Sequence, residues 1–179
     1  MNLIQQIVQS IDKADLWQKK INLTRGEYLT VNGNTDTNLY YVISGSLKIF
    51  FEDEFDEQIL RLGYKGNIIG ALVSFISEQP TDFYIQALKV TELKVIPKSS
   101  IRKWTEMSED NRNMWQSVAE LLIYEQIERE KDILTQSPLV RYQRVLKRSP
   151  QLFQEIPNKY IASYLRMTPE TLSRLKSRK

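Results

Sequence analysis

The positions of glycine and proline divide the chain into two parts that must fold differently. All six glycines lie between residues 26 and 70. Tight turns and bulges need glycine where φ is positive or where two backbones approach closely, so this region is expected to contain short strands and turns. The stretch from 108 to 135 contains neither glycine nor proline and predicts one long helix. The pattern indicates an α+β chain.

Short apolar or β-branched runs alternate with turn residues between positions 21 and 96. The predicted strands are 39–43, 47–51, 58–62, 68–69, 83–88 and 93–96. Strands this short and closely spaced are typical of an antiparallel sandwich or barrel. Apolar residues at helical spacing also predict a short helix over 2–12, packed on the barrel, and a brief one over 99–106.

The long predicted helix carries apolar residues on more than one face. A helix that covers only its own domain needs a single apolar stripe. The extra apolar surface predicts a homodimer that forms through Val118, Leu122, Ile123 and Ile127. A helix buried on both sides within one chain is the alternative, because the pattern never becomes a sustained heptad.

The last two dozen residues predict two short helices joined by a tight turn. Apolar residues share one face of each helix: Ile161, Ala162 and Leu165 in the first, Leu172 and Leu175 in the second. Thr168 is placed to cap the second helix, and Pro169 suits its first position because the missing N–H has no partner there. This arrangement is typical of a helix-turn-helix, whose second helix enters the major groove of DNA.

Basic residues concentrate at the same end of the chain. Residues 137–179 contain ten Lys or Arg and two acidic residues, so the net charge of +3 divides into about −5 and +8. Such a basic end favours double-stranded DNA as a partner. The side chains expected to contact DNA are Thr168, Pro169, Glu170, Thr171, Ser173, Arg174, Lys176 and Arg178, with Arg141 and Lys159 expected to contact phosphate alone. An ordinary helical hairpin with a solvated basic face is the alternative.

The absence of cysteine and histidine excludes several chemistries. Disulfides, cysteine-ligated iron–sulfur clusters, ordinary zinc sites and catalysis by Ser-His or Cys-His pairs all need these residues. The acidic cluster over 52–57 lacks the ligand spacing and glycine of a calcium loop and is expected to be a solvated hairpin tip. We expect no metal, no cofactor and no enzymatic activity.

No apolar segment has the length of a membrane span. The longest nearly unbroken apolar stretch covers 68–76, far fewer than the ~20 residues that a bilayer requires. The amino terminus also lacks the basic segment and apolar run of a signal peptide. A cytoplasmic protein with no membrane partner is therefore expected.

Three segments carry a family resemblance: LYYVISGSL at 39–47, KGNIIG at 65–70 and MTPETLSR at 167–174. In this order, they resemble motifs of the Crp/Fnr superfamily of bacterial transcription regulators. The resemblance implies a cyclic-nucleotide-binding-type jelly roll, or double-stranded β-helix, over 1–107, a dimerisation helix over 108–136 and a helix-turn-helix domain over 137–179. It also implies a homodimer that reads a pseudo-palindromic DNA site.

The effector pocket implied by the resemblance departs from the family pattern. Its candidates here are Gly70, Ala71, Leu72, Thr81, Asp82 and Phe83. The family follows its glycine with a Glu for the ribose and later supplies Arg-Ser or Arg-Thr for the phosphate, whereas Ala71 and Thr81-Asp82 stand in those places. No basic residue lies between Lys65 and Lys89, and a phosphate taken from water needs a cation or several N–H groups. We therefore expect no binding of cyclic AMP or GMP, and either an unknown small-molecule effector, uncharged or apolar, or a filled core.

The DNA-reading end departs from the family pattern as well. Glu170, Thr171 and Arg174 match family contact positions, but Pro169 replaces a family Arg, so a different DNA site is expected. No residues remain for the β-hairpin wing that usually follows, which predicts weaker binding. A protein-interaction scaffold or sensor with a degenerate DNA-binding domain is the alternative. An enzyme built on a double-stranded β-helix is disfavoured, because such folds commonly hold metal on histidines.

Overall fold

Two four-stranded antiparallel sheets form the first half of the computed structural model, which describes residues 2–54 and 56–177. The strands are β1 Lys19–Leu23, β2 Tyr28–Thr30, β3 Asn38–Ser44, β4 Ser46–Glu52, β5 Glu57–Tyr64, β6 Ile68–Ile69, β7 Tyr84–Ala87 and β8 Thr91–Pro97. Their order is β1-β8-β3-β6 in one sheet and β2-β7-β4-β5 in the other. The α+β class and the jelly-roll barrel predicted from the sequence are confirmed.

Eight helices lie among the described residues, at both ends of the barrel sequence and in one strand connection. They are α1 Leu3–Lys13, α2 Leu72–Ser77, α3 Lys98–Glu106, α4 Glu109–Leu134, α5 Pro138–Arg148, α6 Leu152–Glu155, α7 Asn158–Tyr164 and α8 Pro169–Lys176. The Ser108 Oγ caps α4 by accepting the Asn111 N–H at 3.1 Å. In the described part of the chain, no helix is long and apolar enough to cross a bilayer.

Three apolar clusters hold these elements together. The first fills the barrel and includes the fully buried Val42, Leu47 and Leu93. The second, the outer cluster, packs α1, α3 and α4 on one side of the barrel around Trp104, whose indole N–H donates to the Ser10 Oγ at 2.9 Å. Burying side chains of this size supplies about 1.5–3 kcal/mol each, so these clusters fix α4 against the barrel.

The third cluster joins the carboxyl-terminal helices to the barrel. It contains Ile161, Leu165 and Leu172 from α7, α8 and the turn between them, together with Leu88 of the barrel. Leu62 and Tyr64 of β5 also pack against it. The carboxyl-terminal helices therefore do not form an isolated unit, because part of their core is a barrel surface.

Two carboxylates of α4 bind two arginines of α5 and fix the angle between these helices. The fully buried Asp132 accepts from the Arg144 Nε at 2.8 Å and also from the Arg148 guanidinium. Glu128 accepts from the Arg144 Nη2 at 3.0 Å and from the Lys131 Nζ at 2.8 Å. The hydrogen bond with Lys131 holds the pKa of Glu128 below its ordinary value. We call Glu128, Asp132, Arg144 and Arg148 the α4–α5 ion cluster.

The exposed surface of α4 differs in part from the sequence prediction. Val118 is 7% exposed and packs in the outer cluster of the same chain, which leaves little of it to face a partner, whereas Leu122 is half-buried against that cluster. Ile123 and Ile127 are 63% and 47% exposed, as a partner-facing surface requires. The pattern did not separate these two faces because α4 carries apolar residues on both.

Replacing Asp132 with asparagine tests the α4–α5 ion cluster. We expect Asp132→Asn to lower the free energy of unfolding by roughly 2–4 kcal/mol, because it leaves two arginine charges without their buried partner. The exposed Glu130 lies on the same helix, and Glu130→Gln should change stability by less than about 0.5 kcal/mol. Urea denaturation of both variants measures the difference. Equal stability of the two would contradict this role of Asp132.

Candidate nucleic-acid interface

The helices α7 and α8 are joined by a tight turn that the sequence specifies. Arg166 takes a left-handed conformation with φ of 54°. The Met167 N–H returns to the Ala162 carbonyl at 3.0 Å. The Thr168 Oγ1 then accepts the Thr171 N–H at 3.2 Å and caps α8, with Pro169 in its first position. Leu172 and Leu175 are buried, so the opposite face of α8 points away from the core.

Most of the side chains predicted to contact DNA lie on that outer face. Thr168, Pro169, Glu170, Ser173 and Arg174 are exposed. Thr171 and Lys176 are half-buried, and the Lys176 Nζ donates to the Asn158 Oδ1 at 2.9 Å. Arg178 lies outside the described residues.

Glu170 is held close to the amino-terminal end of α8. A backbone hydrogen bond at Glu170, together with the Thr168 hydroxyl, lowers the pKa of its carboxyl below the ordinary value. The carboxylate therefore stays ionised at neutral pH. An ionised carboxylate can accept a hydrogen bond from the amino group of cytosine.

Arg141 has a structural role that the sequence did not indicate. Its side chain is 8% exposed, and its guanidinium donates to the carbonyls of Thr135, Gln136, Leu165 and Arg166. The prediction that Arg141 contacts DNA phosphate is therefore wrong. Arg141 instead ties the end of α4 to the end of α7, where helix carbonyls lack partners within their own helix. Lys159, the other predicted phosphate contact, is exposed.

The basic charge of the carboxyl-terminal part is smaller at the surface than the sequence count suggests. Arg141 is buried, and Arg144 and Arg148 are paired in the α4–α5 ion cluster. The positively charged side chains of 137–177 that remain exposed or half-exposed without an acidic partner are Lys147, Lys159, Arg166, Arg174 and Lys176. The interface therefore has enough charge for several phosphate contacts, but fewer than the sequence count of ten.

Polar contacts supplement the apolar contact between the carboxyl-terminal helices and the barrel. The Lys89 Nζ pairs with the Glu155 carboxylate at 2.8 Å. The Arg129 guanidinium of α4 lies over the Tyr164 ring at 3.7 Å from its centroid. Arg166 donates to the Gln58 Oε1 of β5. These contacts fix the α7–α8 turn against both the barrel and α4.

A cleft of about 340 Å³ opens where the barrel, α4 and the α7–α8 turn meet. Gly70, Leu72 and Phe83 line it, as the predicted effector pocket requires. The other three predicted pocket residues do not. Ala71 and Thr81 are buried in the barrel, where the Thr81 Oγ1 accepts the Phe83 N–H at 3.1 Å, and Asp82 points to solvent.

The cleft contains positive charges that sequence reasoning missed. Arg61 of β5, Arg129 of α4 and Arg166 of the α7–α8 turn all line it. In the family pattern, the cation that binds phosphate lies in the segment between Lys65 and Lys89, and this segment has no basic residue in the present chain. The arginines lie more than a hundred positions apart at the extremes, from Arg61 to Arg166, and the packing of α4 and of the α7–α8 turn on β5 brings them together.

Comparison with known proteins relates the barrel to a domain family and the whole fold to several solved structures. The family model for the cyclic nucleotide-binding domain matches residues 20–107. No curated protein sequence is significantly similar to the chain. Its structural neighbours include several Crp/Fnr-family transcription regulators.

Three solved structures are similar over most of the chain. FixK2 from Bradyrhizobium japonicum is 16% identical with a TM-score of 0.68, over 89% of this chain and 82% of the other. The c-di-GMP responsive global regulator CLP from Xanthomonas campestris is 18% identical with a TM-score of 0.68, over 95% of this chain and 90% of the other. A putative cAMP-binding regulatory protein from Silicibacter pomeroyi is 20% identical with a TM-score of 0.67, over 96% and 79%. The barrel region thus matches the family model of the cyclic nucleotide-binding domain, and the chain has the fold of these regulators.

Exchange of Arg141 for lysine distinguishes a structural role from phosphate binding. Lysine keeps the charge but cannot bond the same set of carbonyls, so Arg141→Lys should lower the free energy of unfolding by about 1.5–3 kcal/mol. The matched exchange Arg174→Lys, on the exposed face of α8, should change it by less than about 0.5 kcal/mol. Thermal or urea unfolding measures both. An unchanged stability of Arg141→Lys would refute the assignment.

Proposed function

We propose that the chain is a DNA-binding transcription regulator of the Crp/Fnr type that works in the cytoplasm as a homodimer. The observation that carries this proposal is the outward face of α8. It presents Glu170, Ser173 and Arg174 to solvent while Leu172 and Leu175 anchor the helix. A capped, anchored helix with polar and basic side chains on its free face has the form of a major-groove reading helix.

We assign one function to each of the three segments predicted from the sequence. Residues 1–107 form the sensor barrel, 108–136 the connecting and dimerisation helix, and 137–179 the DNA-binding part. The barrel provides no cation for a cyclic nucleotide phosphate at Thr81 or Asp82, so we infer that it does not bind cyclic AMP or GMP in the family manner.

The dimer interface that we propose is the exposed stripe of α4, formed by Ile123, Ile127 and Leu134. Leu134 is 72% exposed, and the three residues follow each other at intervals of four and seven positions on one side of the helix. Apolar residues in such a row, on a helix whose other face is already buried, favour a helix partner. A second copy of the same helix satisfies the two-fold symmetry of a pseudo-palindromic DNA site.

Replacing Arg174 with alanine tests sequence reading. Selection of random duplex DNA by the purified parent should enrich a pseudo-palindromic site with half-sites about one helical turn apart. If Arg174 bonds a guanine edge, Arg174→Ala should weaken binding to that site by roughly 1–3 kcal/mol and relax the preference at one base position.

The matched control for this experiment is Lys159→Gln. It should weaken binding to all sequences alike and reduce the salt dependence, because Lys159 is expected to contact phosphate only. A uniform loss with Arg174→Ala would refute its role as a base contact. No enrichment by the parent at either low or moderate salt would refute DNA reading by the free protein.

Introducing a charge on the α4 stripe tests dimer formation. Ile127→Glu should place two carboxylates opposite each other in an apolar interface and convert the dimer to monomers at micromolar concentration. Ile76→Glu changes a residue that is 74% exposed on α2 and should leave the dimer intact. Sedimentation or light scattering measures the mass of both. A monomeric parent would overturn the proposal.

A second function is favoured by one observation. Three arginines of α5 serve the internal structure, which reduces the charge available to DNA. This pattern fits a protein-interaction scaffold or sensor with a degenerate DNA-binding domain. Binding to DNA that is weak and insensitive to salt would support that alternative, because phosphate contacts always release counterions.

A further inference from the structure

The cleft between the barrel, α4 and the α7–α8 turn has a composition that selects its ligand. Three arginines line it, Arg61, Arg129 and Arg166, together with the amides of Gln58 and Gln126. Its lining includes no acidic residue in the part of the chain that the structure describes. Cations from three separate elements therefore face one small volume, which attracts an anion and repels a cation.

Arg129 is the buried member of this set. It is 6% exposed, and its Nη2 makes only a long contact of 3.4 Å with the Ile59 carbonyl. Its Nη1 has no hydrogen-bond acceptor among the described residues. A buried charged nitrogen without an acceptor costs free energy, and buried guanidinium groups normally have a partner.

The surroundings offset the charge of Arg129 only in part. Burial lowers the pKa of Arg129 below its ordinary value, and the positive charges of Arg166 and Arg61 lower it further. Tyr164, whose ring centroid lies 3.7 Å from the guanidinium, and Asp132 act in the opposite direction, but the Asp132 carboxylate already accepts from Arg144 and Arg148. Arg61 shares its own charge with Glu125 at 3.2 Å. An anion in the cleft would relieve the mutual repulsion of the arginines and add an acceptor.

The rest of the cleft is apolar. Its walls include five aliphatic or aromatic side chains from the barrel, α2 and α4: Ile49, Ile59, Leu72, Phe83 and Ile133. A volume of about 340 Å³ lies at the lower end of the usual range for small-molecule sites. The chemistry that fits is a compact apolar body with one anionic group.

We propose that this cleft binds a small organic anion, a carboxylate or phosphate on an apolar body, whose charged group is held by Arg129 with Arg61 and Arg166. The site differs from the family's cyclic nucleotide site in the origin of its cations. None comes from the barrel segment that holds the phosphate in the family, and one comes from the turn before α8. The earlier expectation of an uncharged or apolar effector is replaced by this one.

The position of Arg166 connects this ligand to α8. Arg166 is two residues before the cap Thr168, and its carbonyl accepts from Arg141 at 3.0 Å. A ligand on the Arg166 guanidinium would bear on the turn that sets the direction of α8. This coupling rests on the proposed function, whereas ligand binding itself does not, and the two are measured separately.

Fluorescence of 1-anilinonaphthalene-8-sulfonate, an apolar anion, tests the site in the full chain without DNA. We expect saturable binding to the parent protein. Arg129→Gln and Arg166→Gln should each raise the dissociation constant by about tenfold, because each removes one charge from the cleft. Arg112→Gln is the control, since Arg112 is exposed on the same helix α4 and lies outside the cleft. Arg166 is exposed, so its variant keeps the test valid if Arg129→Gln fails to fold.

Displacement of the probe identifies the class of ligand. Naphthalene-1-acetate and 1-naphthyl phosphate should compete at least about tenfold better than the neutral 1-naphthalenemethanol, and the stronger of the two anions shows which charged group the site prefers. Equal competition by the neutral alcohol, equal binding by all variants, or no saturable binding would each overturn the proposal. If the parent protein does not bind DNA, the proposed function is refuted, whereas the results of the probe-binding and displacement experiments still stand.

Discussion

The α4–α5 ion cluster decides where the carboxyl-terminal helices lie. Glu128 and Asp132 are on the last turns of a helix that is packed against the barrel, and Arg144 and Arg148 are on the first helix beyond it. Apolar contacts alone allow helices to slide or rotate by small amounts, whereas a buried carboxylate with two guanidinium partners has a defined geometry. The desolvation cost of such a cluster offsets much of its attraction, so its main effect is on orientation rather than on net stability.

The same helix contacts the barrel and the helices on both sides of it in the sequence. One face of α4 packs with α1 and α3 through Val118, and its middle reaches β5 through Arg61 and Arg129. Its end holds α5. The stripe of Ile123, Ile127 and Leu134 remains exposed. This distribution explains the apolar residues on several faces, which the sequence showed but could not assign to particular neighbours.

The sequence predicted the strands in which apolar periodicity is strong and missed those in which it is weak. The predicted runs at 39–43 and 47–51 correspond to β3 and β4. Each of these strands has a neighbouring strand on both sides in its sheet, and most of its residues are buried or half-buried. The strands β1 and β2 were not predicted. Both are short strands at sheet edges with only one buried residue each, so little apolar pattern was available.

Charged residues were harder to assign than apolar ones. The sequence treated the arginines of 137–179 as one basic surface, but Arg141 satisfies helix carbonyls and Arg144 and Arg148 pair with α4. A guanidinium suits all three roles equally well, and only the fold shows which acceptor is near. The missed cations of the cleft have the same cause, because Arg61, Arg129 and Arg166 converge through long-range packing and have no local signature.

The docking of α7 on β5 limits how a ligand can act on α8. Leu62, Tyr64 and Leu88 of the barrel belong to the same packed region as the carboxyl-terminal helices, and Arg166 contacts β5 directly. Release of these helices would expose that apolar surface, which costs about 25 cal/mol per Å². An anion bound in the cleft would contact the barrel, α4 and the turn before α8 in this docked arrangement, so its binding free energy would favour the docked state over any open one. Its effect on α8 would then be limited to its difference in affinity for the two packings.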